Sequence, residues 1–316
     1  MTPTSRPAPP PARLRLAIDT DPGLDDAVAL LVALGLDAVD LVLVTSAAGN
    51  IGLDRATANA RALLDAVGAA EVPLGRGVVP AGTSLMAAGI HGDDGLGGVL
   101  GAPPPVRLPD AAGLLRDTAK AGPMAMAAIA PLTNLAAWLD AGLRLPAPLA
   151  VMGGAIAVPG NAPQPGLPAG AALTAEFNFA ADPSAAERVL AAGLDLLLVP
   201  LDVTRQVRAD RAWTRALAGR SGRAPALAAR LIEAYFRDAG ARESRPLHDP
   251  LAVLALSHPG LFTWAERPLA VVTDPSAGQP GTCVAASDGR RPVRVALEVD
   301  RAAALALIAE AIAAAG

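Results

Sequence analysis

Four carboxylates crowd one turn of the stretch LAIDTDPGLDDAVALL, residues 16–31: Asp19, Asp21, Asp25 and Asp26. Like charges at short range raise one another's pKa, so this many ionised groups in a partly buried crevice need something positive beside them. A capping Asp on a solvated turn accounts for one acidic residue, not for four with apolar sequence on both sides. Two positive partners suit the stretch. Hard oxygen ligands select Ca²⁺ or Mg²⁺, and Ca²⁺ matches a site of several carboxylates and carbonyls with room for water. A helix opening at Asp25-Asp26 adds free N–H groups and the positive end of its dipole.

Further polar residues stand in otherwise apolar surroundings. In EFNF, Glu176 and Asn178 lie two apart, so an extended segment would turn both to one face with Phe177 and Phe179 buried on the other. A carboxylate and an amide projecting together suit a polyhydroxylated ligand. LHDPLAV pairs His248 with Asp249 at an expected helix start, where the Asp is either a cap or a further oxygen ligand and the His an acid aimed at a substrate. His91 stands in the glycine-rich HGDDGLG, and His258, in SHPG, is expected to cap the end of the helix that His248 begins. Asn50 in SAAGN reads by itself as a turn residue, and Thr133 in PLTN as a helix cap.

These residues need a scaffold that gathers them. Leu14, Leu16 and Ile18 alternate with Arg15 and Ala17 as a strand, and a helix over 25–34 stops at Gly35. The alternation continues with strands at 41–45, 124–130, 149–152 and 194–199 and helices over 53–67, through Trp138, and over 183–192. This pattern predicts an α/β protein with an open, mostly parallel sheet and helices on both faces. Right-handed crossovers then place the loops after Ile18, Thr45, Ala130 and Met152 along one edge. Helices at 210–217, 225–238 and 248–258 follow, those between 210 and 258 forming a cap beside that C-terminal sheet edge. Short strands over 268–298 and a last helix over 301–315 complete the reading. Long Pro/Gly-rich loops at 95–110 and 161–173 interrupt the scheme.

Composition sets the bounds. The chain has 316 residues, 52% of them hydrophobic and 18% charged, enough for a substantial core. Residues 1–12, rich in Pro and Ala, read as a disordered tail, and 13–316 as a single domain. A net charge of −4 leaves no footprint for nucleic acid or an anionic membrane. No apolar run is long enough to span a membrane and no signal peptide is present, so a cytoplasmic protein is expected. Cys283, the one cysteine, excludes an internal disulfide or a Cys-based zinc site and reads as a small core residue.

An EF-hand counted from Asp19 fails, because its sixth and twelfth positions hold Leu24 and Leu30. A haloacid-dehalogenase-type phosphatase also opens with an apolar strand and Asp-x-Asp, with Asp19 as nucleophile. It needs a phosphate-clamping cation, and Lys120, the only lysine, falls in an exposed-looking helix. In contrast, DTDPGLDDAVAL, the Gly-Asn of SAAGN, HGDDGLG, PLTN, VMGG, EFNFAADP and HDPLAV follow one another in the order found in the inosine–uridine-preferring nucleoside hydrolases. The chain resembles that family over 13–256. The resemblance implies a Rossmann-like α/β fold and cleavage of the N-glycosidic bond of ribonucleosides by a Ca²⁺-bound water. It implies Asp21, Asp26, Asp249 and the Thr133 carbonyl as metal ligands, with Asp21 also the base and Asp19 in support. Asp25, Asn50, Asn161, Glu176 and Asn178 would hold the ribose hydroxyls, with Met152 packed near the sugar. His91 and His248 would face the nucleobase, His248 as leaving-group acid, with Tyr235 or Phe236 as the few rings near it. A homodimer or homotetramer is common in the family. A catalytically silent nucleoside-binding homologue is a third reading, at odds with the occupied catalytic positions.

Overall fold

The computed structural model describes residues 12–79, 88–101, 103–162, 170–237 and 243–316. The expected N-terminal tail, apart from Ala12, and the middle of the 161–173 loop lie outside the described residues. The first half of the chain alternates as expected: β1 (Leu14–Thr20), α1 (Leu24–Gly35), β2 (Val39–Ser46), α2 (Leu53–Ala66) and β3 (Leu74–Arg76). Helices α3 (Ala88–His91) and α4 (Ala111–Lys120) precede β4 (Ala125–Ala128), α5 (Thr133–Asp140) and β5 (Leu149–Met152). Then come α6 (Phe177–Ala181), α7 (Pro183–Leu190), β6 (Leu196–Val199) and α8 (Leu201–Thr204). A small antiparallel ribbon of β7 (Arg208–Asp210) and β8 (Ser244–Pro246) brackets α9 (Arg211–Ala218) and α10 (Arg223–Arg237). The chain ends with α11 (Pro250–Ser257), β9 (Phe262–Arg267), the hairpin partners β10 (Leu269–Val271) and β11 (Cys283–Ala285), β12 (Val293–Val299) and α12 (Arg301–Ala314).

Eight strands form one sheet in the order β3-β2-β1-β4-β5-β6-β12-β9. All its neighbours pair in parallel except the edge strand β9, which runs antiparallel to β12. The chain leaves β1 on one side for β2 and β3, then returns to β4 on the other. That reversal opens a crevice beyond the carboxyl ends of β1 and β4, where ligands bind in open α/β sheets. The register sets Asp19 beside both Thr45 and Ala128, so the segments that follow β1, β2 and β4 emerge together.

Successive β1 residues face opposite layers. Leu16 and Ile18 pack with α1 and α10 to α12, whereas Ala17 packs with Met126, Leu115 and Trp138 on the other face. Helix α1 buries every residue from Leu24 to Ala33, more than an amphipathic stripe, because α10, α11 and α12 all lie against it. Gly35 permits the α12 crossing, since a Cβ there would overlap the Ala311 carbonyl oxygen.

Four local readings are corrected. EFNF is not extended: Glu176 is the N-cap of α6, accepting from the Asn178 and Phe179 N–H groups, because a carboxylate before free helix donors satisfies them better than a strand would. Thr133 is not a cap: Leu132 occupies that position, and Thr133 Oγ1 donates instead to Asp182 Oδ2 (2.7 Å), tying α5 to α7. α11 begins at Pro250 rather than at His248, proline being suited to the first helical position, while His258 does close it with its N–H on the Leu254 carbonyl. Cys283 is half-buried rather than core, and burial pushes its thiol up to about 12.

Candidate active site

The turn from β1 into α1 is the floor of the crevice. Asp26 sits at the third position of α1, where its Oδ2 accepts from the Gly23 N–H (3.0 Å), and its Oδ1 accepts from Thr20 Oγ1 (2.7 Å) and the Asp21 N–H (3.2 Å). Asn50, delivered by the loop after β2, donates its side-chain amide to Asp26 Oδ2 (3.0 Å) and to the Asp21 carbonyl (3.3 Å), and its N–H to Asp21 Oδ2 (2.5 Å). Both Asn50 amide protons are thereby used, and only its oxygen is left to meet a ligand hydroxyl. Beneath them, Asp19 is fully buried and its Oδ1 accepts from Thr45 Oγ1 (2.5 Å) and Asn134 Nδ2 (2.8 Å).

The HDP corner closes on this turn. Side-chain oxygens of Asp25, Asp26 and Asp249 lie within 4.8 Å of one another, all three residues buried. Burial, reinforced by mutual repulsion, drives Asp21 and Asp249 well above the usual carboxylate range and Asp25 up to about 8. Asp19, raised by burial and lowered by its two donors, reaches about 7. Among the described residues, Asp21 Oδ1 and Asp19 Oδ2 are buried without a hydrogen-bond partner. Buried acceptors are almost always paired, and a cation is one partner that would satisfy these oxygens. An all-oxygen set fits a hard cation; the oxygens that meet are those of Asp25, Asp26 and Asp249, and the expected ligand Asp21 lies outside that trio, with one oxygen unpaired among the described residues. Thr133, its hydroxyl committed to Asp182, has its carbonyl as the remaining candidate ligand.

A second group lines the side of the crevice formed by β5 and α6. Glu176 Oε2 accepts from the Gly154 N–H (3.0 Å) and the Phe179 N–H (3.2 Å), and burial raises its pKa against those donors. Asn178 Nδ2 donates to the Met152 carbonyl (3.1 Å), which brings Met152 to the same wall. Asn161 Oδ1 accepts from the Phe177 N–H (2.8 Å), so the end of the 155–161 loop joins Glu176 and Asn178.

The third side carries rings. His91 Nδ1 accepts from the Leu24 N–H (3.0 Å), acting as a cap for α1 from far along the chain. That bond leaves its ring proton on Nε2. Burial, aided by Arg245, lowers its pKa to about 4. His91 stacks on Tyr235 at 5.8 Å between centroids, and the Arg245 guanidinium lies 4.7 Å from the Tyr235 ring centroid and donates to the Tyr235 carbonyl (2.7 Å). Burial, then the positive charges of Arg205 and Arg208, lowers His248 to about 3, so its imidazole is neutral. Residues that sequence reasoning missed are Asn134, which orients Asp19, and the buried Arg245. The Asn of PLTN and an arginine just before HDP were the available signals.

A parallel sheet whose switch-point crevice holds clustered buried carboxylates, flanked by Glu176, Asn178 and Asn161 and by histidines, defines a hydrolase of the nucleoside hydrolase class. The family model described as inosine-uridine preferring nucleoside hydrolase matches residues 16–306, and the chain belongs to that family, whose members hydrolyse N-glycosidic bonds and use a metal ion. It is 33% identical over 311 residues to the non-specific ribonucleoside hydrolase RihC of Escherichia coli, covering 91% of this chain and 94% of that one. It is also 33% identical over 268 residues to a probable uridine nucleosidase 2 of Arabidopsis thaliana, covering 80% of each. Among solved structures, a plant nucleoside hydrolase superposes with a TM-score of 0.84 at 28% identity, covering 96% of this chain and all of that one. A purine-preferring ribonucleoside hydrolase from Gardnerella vaginalis superposes at 0.80 with 27% identity, covering 95% and 98%.

Proposed function

We propose that this enzyme is a Ca²⁺-dependent ribonucleoside hydrolase that releases free base and ribose by direct displacement with water. The observation that carries the reading is the meeting of Asp249 with Asp25 and Asp26, residues far apart in sequence joined in one buried oxygen cluster. Ca²⁺ bound by Asp21, Asp26, Asp249 and the Thr133 carbonyl would orient water and increase its acidity. Asp21, with one oxygen unpaired, takes the proton from the attacking water. Asp25, Asn50, Asn161, Glu176 and Asn178 hold the ribose hydroxyls and Met152 packs beside the ring. Cleavage builds positive charge on the sugar, and the surrounding carboxylates favour that charge more than they favour the neutral substrate. His248, the expected partner of the leaving group, acts on the departing base as a hydrogen-bond donor through its one ring proton, and His91 with Tyr235 forms the wall beside it. Attack by water without a covalent intermediate inverts the anomeric carbon.

The phosphatase alternative requires Asp19 as a nucleophile; one Asp19 oxygen is instead held by Thr45 Oγ1 and Asn134 Nδ2, and the family to which the chain belongs hydrolyses N-glycosidic bonds. The reading is tested by measuring ribose release from a panel including inosine and uridine, before and after chelation and in Asp21→Ala. Chelation is expected to abolish release and Ca²⁺ to restore it. Asp21→Ala is expected to lose on the order of 10³-fold or more, the combined scale of base and metal contributions. Turnover indifferent to chelation removes the metal, and tight nucleoside binding without ribose release makes the protein a silent binder. The accompanying assembly is a homodimer or homotetramer, read by sedimentation.

A further inference from the structure

His248 is gripped at one ring nitrogen. Its Nδ1 lies 2.7 Å from Thr204 Oγ1, the last residue of α8, and Thr204 is fully buried. Thr204 Oγ1 makes no other hydrogen bond among the described residues, and neither does His248 Nε2. The junction is rigid on both sides. The Leu247 N–H bonds to the Val207 carbonyl (3.0 Å), which seats the residue before His248 against the chain just after α8. Asp202 receives the Ile156 and Ala157 N–H groups at 2.9 and 2.7 Å, and Arg205 donates to the Pro159 and Gly160 carbonyls at 2.6 and 3.0 Å. Helix α8 is thus anchored to the same loop that ends in Asn161.

A neutral imidazole has one ring proton, and which nitrogen carries it is decided by the partner of the other. A hydroxyl with a single neighbour can either donate to Nδ1 or accept from it. In the neutral ring, a hydroxyl that donates leaves the proton on Nε2, which becomes a hydrogen-bond donor; a hydroxyl that accepts leaves Nε2 a bare acceptor. We propose that Thr204 is a positioning residue that holds His248 in the Nε2–H tautomer by donating to Nδ1, so that the neutral ring presents a hydrogen-bond donor to the leaving nucleobase. The role of His248 in the proposed function underlies this assignment, whereas the tautomer itself does not depend on it.

The test compares Thr204→Val, which removes the hydroxyl at nearly constant shape, with Thr204→Ser, which keeps it. Each is assayed on inosine and on a riboside whose leaving group is too acidic to need protonation, such as p-nitrophenyl riboside. Thr204→Val is expected to lower kcat on inosine by about tenfold to 100-fold, the range between one lost hydrogen bond and a misplaced donor to the leaving group. The activated substrate should change by less than about threefold, and Thr204→Ser should return most of the inosine rate. Equal slowing of both substrates, or no slowing of inosine, overturns the proposal. Should Thr204→Val fail to fold, ¹⁵N NMR of the parent labelled at histidine decides the matter: a protonated Nε2 with bare Nδ1 at His248 upholds the assignment, and the opposite tautomer ends it. A parent that releases no ribose from any nucleoside would defeat the proposed function while leaving the NMR result able to decide the tautomer.

Discussion

Asp26 accepts four hydrogen bonds from its own turn and from Asn50, while the neighbouring Asp21 leaves a buried oxygen with none. The contrast separates a carboxylate locked in place from one kept available. Gly49 guards that availability, because a Cβ there would overlap Asp21 Oδ2 and Pro131. Gly49→Ala is therefore expected to reduce kcat by at least about tenfold through displacement of Asp21, since sub-ångström misplacement at a reacting centre is costly. Steady-state kinetics beside a melting curve checks it, and wild-type turnover would show that the crowding is tolerated. The buried acids also set a pH dependence. Asp19 at about 7 and Asp25 at about 8 stand above the ordinary 3.8, so the folded state binds protons more tightly than the unfolded chain. Stability is then fully present below about pH 4 and is lost as pH rises through about 7 to 8. Calorimetry of chelated protein should find the melting temperature falling from about pH 5 to about pH 8, with Ca²⁺ flattening the slope; a rise over that interval contradicts the assignment.

Elements carry the next lesson. The alternating pattern located the main strands and most long helices to within a few residues, because burial on both faces of a parallel sheet leaves apolar runs that are visible locally. EFNF misled because its Phe177 and Phe179 sit with the spacing of a strand, whereas the free N–H groups of α6 recruited Glu176 as a cap. Helix α8 is too short to have a readable period, yet it contacts His248 and the 155–161 loop. At the helix scale the sharpest constraint is the crossing of α1 and α12 at Gly35. Gly35→Ala is expected to cost about 1–3 kcal/mol through overpacking against Ala311. A lowered thermal midpoint with kcat per folded molecule unchanged is the expected readout, and an unchanged midpoint would mean that α12 yields freely.

For the molecule as a whole, the metal is expected to act as a clasp between the first strand-helix turn and the distant HDP corner. A ligand that binds only the folded state at about 100 times its Kd adds about 2.7 kcal/mol. Differential scanning calorimetry should therefore register a rise of several degrees with Ca²⁺ and a smaller one with Mg²⁺, whose tighter octahedral demands suit several carboxylates less well. Absence of any Ca²⁺-dependent shift would contradict the clasp. Among the described residues no helix is long and apolar enough to cross a membrane.

By itself the sequence determined the α/β alternation, the positions of the strand ends and the order of the motifs there, since each of these is written in short-range periodicity and turn chemistry. Only the tertiary structure decided which of those ends meet: Asp249 against Asp25 and Asp26, His91 on the Leu24 N–H, Asn134 on Asp19, and Thr204 on His248. Such contacts depend on strand order and on how helices cross the sheet, and these are settled by packing of the whole core rather than by any local run of residues.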